Sequence, residues 1–423
     1  MESGAQGAGI SWQRNLYVLW VAETLTILGF CLAYPFLPFY LVELGAESFE
    51  SRALWAGAMS AASAGFMAIT APFWGMAADR WGRKPMVVRA MLCGAVTTGL
   101  MGLVVAPWQL LVLFILDGAF SGTVAAAMTM VAATTPRERL GYAMGLLQTA
   151  IFTGFSLGPL IGGVLADQIG YRPVFGIGAA LLFLAAGLVI TQTREVFTPA
   201  RRSAGVEAAR VLPLKVILMV GALPAAVGIM LALRATTGAM QPLLPLFVED
   251  LAAPGARVAT LAGLTFGVSG VGSAVASLVI GRASDRIGHR LVLIVACFSV
   301  AALFLPLALA QSPWQLIVCY GLLGVATGGI IPSAQAVVAD LTPPERRGVV
   351  FGVTSAAASF GGFIGPLGGS LLATTIDLRF VFVASAAVML VAAVWVTLAL
   401  NAARAVVASA PEEPPASPIS TGP

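Results

Sequence analysis

Motifs from the first half of this chain return 206 or 207 positions later in the second. Pro35–Pro38 ("PFLP") comes back as Pro242–Pro245 ("PLLP"), and Gly75–Lys84 ("GMAADRWGRK") comes back as Gly281–Arg290 ("GRASDRIGHR"). "PWQL" at Pro107 recurs at Pro313, and "GFSLGPLIGG" (Gly154–Gly163) recurs as "GGFIGPLGG" (Gly361–Gly369). Solenoid repeats run to a few tens of residues, so a period this long marks a duplicated half-molecule. Duplication inside an apolar chain is how many transporters build two bundles around one central site.

The material between the motifs is apolar enough for that reading. The chain is 59% hydrophobic and 10% charged, against about 45–50% and 25% for soluble domains. Runs of roughly 20 apolar residues cross a hydrocarbon core as helices, and only helices or closed barrels satisfy their backbone there. Divided at its charged and Pro/Gly breaks, the chain gives spans over 15–41, 53–74, 86–106, 109–132, 142–166 and 173–193. Six more follow over 215–247, 258–280, 291–310, 314–338, 349–373 and 380–401. The expected fold is an all-α integral membrane protein, with twelve transmembrane helices in two six-helix pseudo-repeat bundles. The expected units are 1–193, a linker over 194–214, the second bundle over 215–401, and a disordered tail over 402–423.

Basic residues give the orientation, since loops rich in Lys and Arg stay in the cytoplasm. With the N-terminus inside, eighteen of the 23 Lys+Arg fall on the inner side. Arg52, Arg172, Arg257 and Arg379 fall outside, and Arg234 falls within a span. Both termini are therefore expected in the cytoplasm of a multi-pass plasma (inner) membrane protein. The formal charge of +4 is too small to suggest a nucleic-acid partner. Cys31, Cys93, Cys297 and Cys319 lie in apolar runs without CxxC spacing and read as small core residues. The first span is too long, and too interrupted by Glu23 and prolines, for a cleaved signal peptide.

Three signatures resemble the major facilitator superfamily, and within it the twelve-span drug:proton antiporter branch. "GMAADRWGRK" matches the G-x-x-x-D-R-x-G-R-[KR] loop between spans 2 and 3, and "LGFCLAYPFLP" (Leu28–Pro38) the first-span Gly and Pro-x-x-Pro pattern. "GFSLGPLIGG" matches the span-5 G-x-x-x-G-P-x-x-G-G of the exporters. The resemblance implies that Gly75, Asp79, Arg80, Gly82, Arg83 and Lys84 form a gating latch that closes the cytoplasmic side. Asp285, Arg286 and Gly288 are the second copy, with His289, the one histidine, where the first copy has Arg83. The plainer alternative is that the loops only set topology and that His289 is a solvated loop residue. In span 5, Gly154, Gly158, Gly162 and Gly163 make a small-residue face, and Pro159 removes a backbone donor.

Charged residues inside spans cost about 2.5–3.5 kcal/mol at a helix centre and are functional candidates. Glu23 (span 1), Asp117 (span 4) and Arg234 (span 7) are the three. Helical spacing puts Glu23, Ile27, Phe30 and Tyr34 on one stripe, Phe114, Asp117 and Ser121 on a second, and Arg234, Thr237 and Gln241 on a third. In the superfamily, spans 1, 4 and 7 line the central cavity, so these faces are expected to meet there. A carboxylate removed from water favours its protonated form and can exchange that proton when solvated. Proton-coupled export of an amphiphile cushioned by Phe30, Tyr34, Phe114 and Phe120 follows. Structural pairing of Glu23 with Arg89 or Arg14, and of Asp117 with Arg234, is the competing reading. The family's span-4 Arg is absent, and Phe114 stands in its place. That departure leaves open an exporter of sugars or other polar metabolites, uncoupled from protons. A non-transporting membrane sensor is a third class, disfavoured by signatures in both halves.

An enzyme has no support in the sequence. No P-loop, G-x-S-x-G elbow or histidine-built metal site is present. No cofactor and no metal are expected. The expected partners are a small-molecule substrate, protons and membrane lipid, around a monomer.

Overall fold

The computed structural model describes residues 11–120, 122–195, 223–342 and 347–408. Among these residues every regular element is helical. Span 1 runs as Trp12–Ala33, a 3₁₀ turn at Tyr34–Phe36 and a short helix Leu37–Glu43. Spans 2 and 3 are Phe49–Trp81 and Arg83–Met101, and span 4 is two helices, Pro107–Phe120 and Thr123–Thr134. Spans 5 and 6 are Leu140–Ile169 and Tyr171–Gln192. Span 7 is Leu223–Met240, with a turn at 241–243 and a helix Leu244–Leu251. Spans 8 to 12 are Val258–Ile287, His289–Ala308, Pro313–Leu341, Arg347–Thr375 and Leu378–Ala408.

Ten of these helices are long and apolar enough to cross a membrane. Span 3 opens on Arg83 and Lys84, with Arg89 one turn further in, and this dilutes its apolar window. The start of span 7, expected at 215, lies outside the described residues, as do most of the linker and the tail from 409 onward.

Four spans differ from expectation. Spans 1 and 7 are interrupted where the Pro-x-x-Pro motifs remove two backbone donors within one turn. Span 4, expected to be continuous, breaks at Gly122, whose φ of 108° suits only glycine. Span 12 continues to Ala408 and does not give way to a disordered tail at 402.

Serines start several spans by accepting a backbone N–H three residues on. Ser48 takes Ser51 N at 3.1 Å, and Ser312 takes Gln315 N at 3.3 Å. The turns between spans 2 and 3 and between spans 8 and 9 are single glycines, Gly82 and Gly288, with φ of 97° and 102°. Each glycine ends one helix and begins the next, so no loop separates the pair.

Inside each half the packing repeats with the sequence. Tyr40 stacks on Phe175 at 5.1 Å, and their counterparts Phe247 and Phe382 stack at 5.1 Å. Arg172 lies over Tyr40, and Arg379 over Phe247. Gly162 faces the Leu32 carbonyl as Gly369 faces Ala239, so span 5 rides on span 1 as span 11 rides on span 7. Between the halves, span 2 packs on span 11 and span 5 on span 8.

Candidate functional site

Glu23 is fully buried within the first bundle. Its Oε1 accepts a 3.1 Å hydrogen bond from Thr123 Oγ1, while Oε2 has no partner. Thr123 is the first residue of the second half of span 4, immediately after the Gly122 break. A carboxylate there meets the positive end of a helix whose first N–H groups lack intrahelical partners. The other side of the break carries complementary groups. Ala119 O, which in a continuous helix would accept from Thr123 N–H, accepts the Trp74 indole N–H at 2.7 Å instead. The Arg89 guanidinium lies 3.4 Å from the Trp74 ring centroid. Acid at the helix start and cation near the helix end follow the dipole of each half.

Asp117 is buried on the first half of span 4, and its Oδ1 accepts from Thr97 Oγ1 of span 3 at 3.1 Å. Beside it the rings of Phe30, Tyr34 and Phe114 form a file, with centroid separations of 5.5 and 5.0 Å. Phe120 joins Trp74 instead, at 5.8 Å. The Phe30 ring tip also sits where a side chain on Gly94 would be, which keeps span 3 close to span 1.

Among the described residues no hydrogen bond or ion pair joins Glu23, Asp117 and Arg234 to one another. Glu23 and Asp117 point into the first bundle, whereas Arg234 is solvent-accessible on span 7. The Cβ of Arg234 packs close to Gly361 of span 11. Thr237 donates back to Leu233 O at 2.6 Å, and Gln241 is exposed at the turn that ends the helix. Ser121 lies outside the described residues. The alternative pairings are also missing: the ion pairs among the described residues are Arg52–Glu249 and Arg172–Glu43. Arg14 binds Gln192 across the bundle.

The first signature loop, Gly75–Lys84, is anchored within its own half. Glu195, which follows span 6, accepts Arg83 N at 3.0 Å and Lys84 N at 2.7 Å, capping span 3 from outside. Lys84 Nζ in turn donates to Ile190 O and Thr193 O, both at 2.8 Å, at the end of span 6. Asp79 and Arg80 are exposed, with Arg80 lying over Trp81, and a side chain on Gly75 would meet open space. In the second copy Arg286 is exposed and Gly288 makes the turn; the Asp285 side chain lies outside the description. His289 begins span 9 and its Nδ1 is 2.7 Å from Ser284 Oγ, so it is a structured helix-start residue and not a solvated loop residue.

The span-5 glycines face two partners. Gly154, Gly158 and Gly162 sit against Ile27, Cys31 and Leu32 of span 1, whereas Gly163 meets the Ala259 carbonyl of span 8. Pro159 contributes its carbonyl to the same crossing, against Gly263.

The family model described as Major Facilitator Superfamily matches residues 19–261 and 242–422, covering both halves. The chain belongs to the major facilitator superfamily. Among curated members it is 36% identical over 395 residues to "Multidrug resistance protein MdtG" of Enterobacter lignolyticus, covering 93% of this chain and 94% of that protein. The MdtG of Dickeya zeae is 35% identical over 395 residues, covering 93% and 96%.

Two solved major facilitator structures share the fold. The nucleoside transporter NupG gives a TM-score of 0.70 at 16% identity, over 91% of this chain and 99% of that one. A bacterial homolog to the human lysosomal transporter Spinster, in an inward-facing and unoccupied conformation, gives 0.73 at 16% identity, over 95% and 99%.

The two major facilitator halves are joined on the face opposite the basic loops. There Arg52 pairs with Glu249 at 2.7 Å, and Asp167 Oδ2 accepts both Thr260 N (2.7 Å) and Thr260 Oγ1 (2.6 Å). Close backbone crossings continue inward through Gly57 on Ser370 and Gly263 on Pro159. Nearer the basic face, Gly75, Gly141, Gly145 and Gly281 meet no neighbour. Among the described residues no cluster of His, Cys, Asp and Glu is placed to hold a metal.

Proposed function

We propose that this chain exports small amphiphilic, drug-like molecules in exchange for protons, by alternating access in the plasma (inner) membrane. The observation that carries the reading is the identity of 36% with multidrug resistance protein MdtG over more than nine-tenths of both chains. Two buried carboxylates in the first bundle, Glu23 and Asp117, supply the proton sites, with Glu23 the main one. Arg234, Thr237 and Gln241 on span 7 supply the polar contacts of the second bundle, and Phe30, Tyr34 and Phe114 the apolar ones.

The chemistry is transport and not catalysis. One proton moving inward at 100 mV supplies about 2.3 kcal/mol, and each pH unit about 1.4 more. That drives a drug gradient of a few hundredfold.

We take the basic face, with both termini, as cytoplasmic, and residues 1–193 and 215–401 as the two moving bodies. The links joining the halves on the opposite face then mark an inward-facing state. The loop around Asp79 and Arg80 engages the other half only after the cytoplasmic side closes. A monomer is sufficient for this cycle. Phe114 at the position of the usual span-4 Arg favours a second reading, uncoupled export of a polar metabolite.

Collapse of a pH gradient in proteoliposomes separates the two. Cationic dyes and neutral amphiphiles should release protons through wild type, while Glu23→Gln and Asp117→Asn should not. Solute exchange that leaves the gradient intact would establish the second reading.

A further inference from the structure

The break in span 4 lies between the two acids. Asp117 belongs to the helix that ends at Phe120, and Glu23 is held by the helix that begins at Thr123. Spans 5 and 6 and the second half of span 4 pack against span 1. Among the described residues Glu23 forms no ion pair, and its one hydrogen-bond partner is Thr123. The other charges nearby are engaged elsewhere: Asp117 with Thr97, and Arg89 over Trp74. Glu23 Oε2 is enclosed without a partner, which leaves it as the oxygen open to taking up and releasing a proton.

We propose that Thr123 is the positioning residue of the proton site, and that the Gly122 break lets its helix follow Glu23 independently of the helix carrying Asp117. The Thr123 hydroxyl and the helix N-terminus behind it favour a negative carboxylate. Loss of the proton tightens Glu23 onto this helix, and uptake loosens it. A continuous helix would bury the N–H groups in its own ladder and would carry both acids as one rigid body. Gly122 adopts a backbone that other residues rarely enter, so the break is encoded at that residue.

This inference rests on Glu23 being the coupling site, and the test separates the two claims. Drug-driven proton release is measured in proteoliposomes from pH 5.5 to 8.5 for wild type, Thr123→Val, Thr123→Ser and Glu23→Gln. Dye binding to the purified protein at fixed pH reports folding. Thr123→Val is isosteric and removes only the donor. Its profile should move to higher pH by about one unit, the scale of one hydrogen bond to a charged group. Thr123→Ser should restore the wild-type profile. A Thr123→Val profile that overlays wild type, while Glu23→Gln loses coupling, overturns the positioning role and leaves the coupling site standing. Full proton release by Glu23→Gln overturns both.

Discussion

Arg52, at the start of span 2, and Glu249, in the short helix Leu244–Leu251 that ends span 7, form a 2.7 Å ion pair that joins the two halves of the molecule. Arg52 is mostly covered and Glu249 is partly exposed, with side-chain exposures of 13% and 41%. Water and salt therefore screen the pair, and it contributes about 0.5–1 kcal/mol to closure of that face. Arg52→Gln or Glu249→Gln should raise amide hydrogen exchange at residues 258–262 two- to fivefold, as should high salt. The double exchange Arg52→Glu with Glu249→Arg should restore much of the protection. Equal exchange in all four proteins would show that the pair does not hold the face shut.

Two glycines from the family signatures should respond in opposite ways. An alanine at Gly162 would drive its methyl into the Leu32 carbonyl, which is backbone and cannot rotate away. Overpacking of this kind costs about 1–3 kcal/mol, so Gly162→Ala should lower the unfolding temperature in detergent. Gly75 faces open space here. Gly75→Leu should keep the wild-type unfolding temperature yet stop transport, because the closure proposed for the basic face needs that space. Normal transport by Gly75→Leu would remove the loop from the gate.

Glu195 caps span 3 with two charge-assisted hydrogen bonds to Arg83 N and Lys84 N. Glu195→Gln keeps one acceptor but loses the charge opposite the helix N-terminus, a loss of about 1 kcal/mol. The unfolding temperature should fall by a few degrees, and Glu195→Asp should recover only part of it, its chain being shorter. An unchanged midpoint in Glu195→Gln would mean that Lys84, bonded to Ile190 and Thr193, secures this corner alone.

How much of this was legible depends on whether a feature is local. The turns at Gly82 and Gly288 could be read because glycine, flanking charge and the repeat coincide. The three charges inside apolar runs were visible for the same reason. The break at Gly122 was not, because a lone glycine in an apolar run is tolerated in a helix. Gly122 permits the break, and the group that satisfies the freed Ala119 carbonyl is tertiary: Trp74, 45 residues earlier. Thr123 and Thr97, as small polar residues inside spans, carried no signal until Glu23 and Asp117 were placed beside them. Glu195 stood among other charges at the start of a polar linker. Its partner lies 111 residues away, at Lys84.

The Arg52–Glu249 link had no sign in the repeat. In the register that pairs Tyr40 with Phe247, Glu43 corresponds to Asp250 and Glu249 to Val42, yet Glu43 and Glu249 are the two acids that meet an arginine among the described residues. Glu43 finds Arg172 within its own half, whereas Glu249 finds Arg52 in the other. Repeat symmetry therefore does not mark Glu249, whose partner is set by how the halves dock.

Arg234 is where the site makes its sharpest demand on experiment. It sits mid-span beside Gly361, solvent-accessible, with no hydrogen bond or ion pair to the described residues. A charge that stabilised the fold would be paired, because an uncompensated ion inside a membrane protein is costly. Arg234→Gln should therefore leave the unfolding temperature within a degree or two of wild type. Export should fall at least tenfold, because the guanidinium is the charge that the sequence places near the middle of a span in the second bundle. Arg234→Lys keeps the charge without the planar fork and should recover part of the rate. Destabilisation by Arg234→Gln would instead place the arginine in a structural pair formed with residues outside the described ones. Stable protein that exports normally would confine substrate handling to the first bundle, where Glu23 and Asp117 lie.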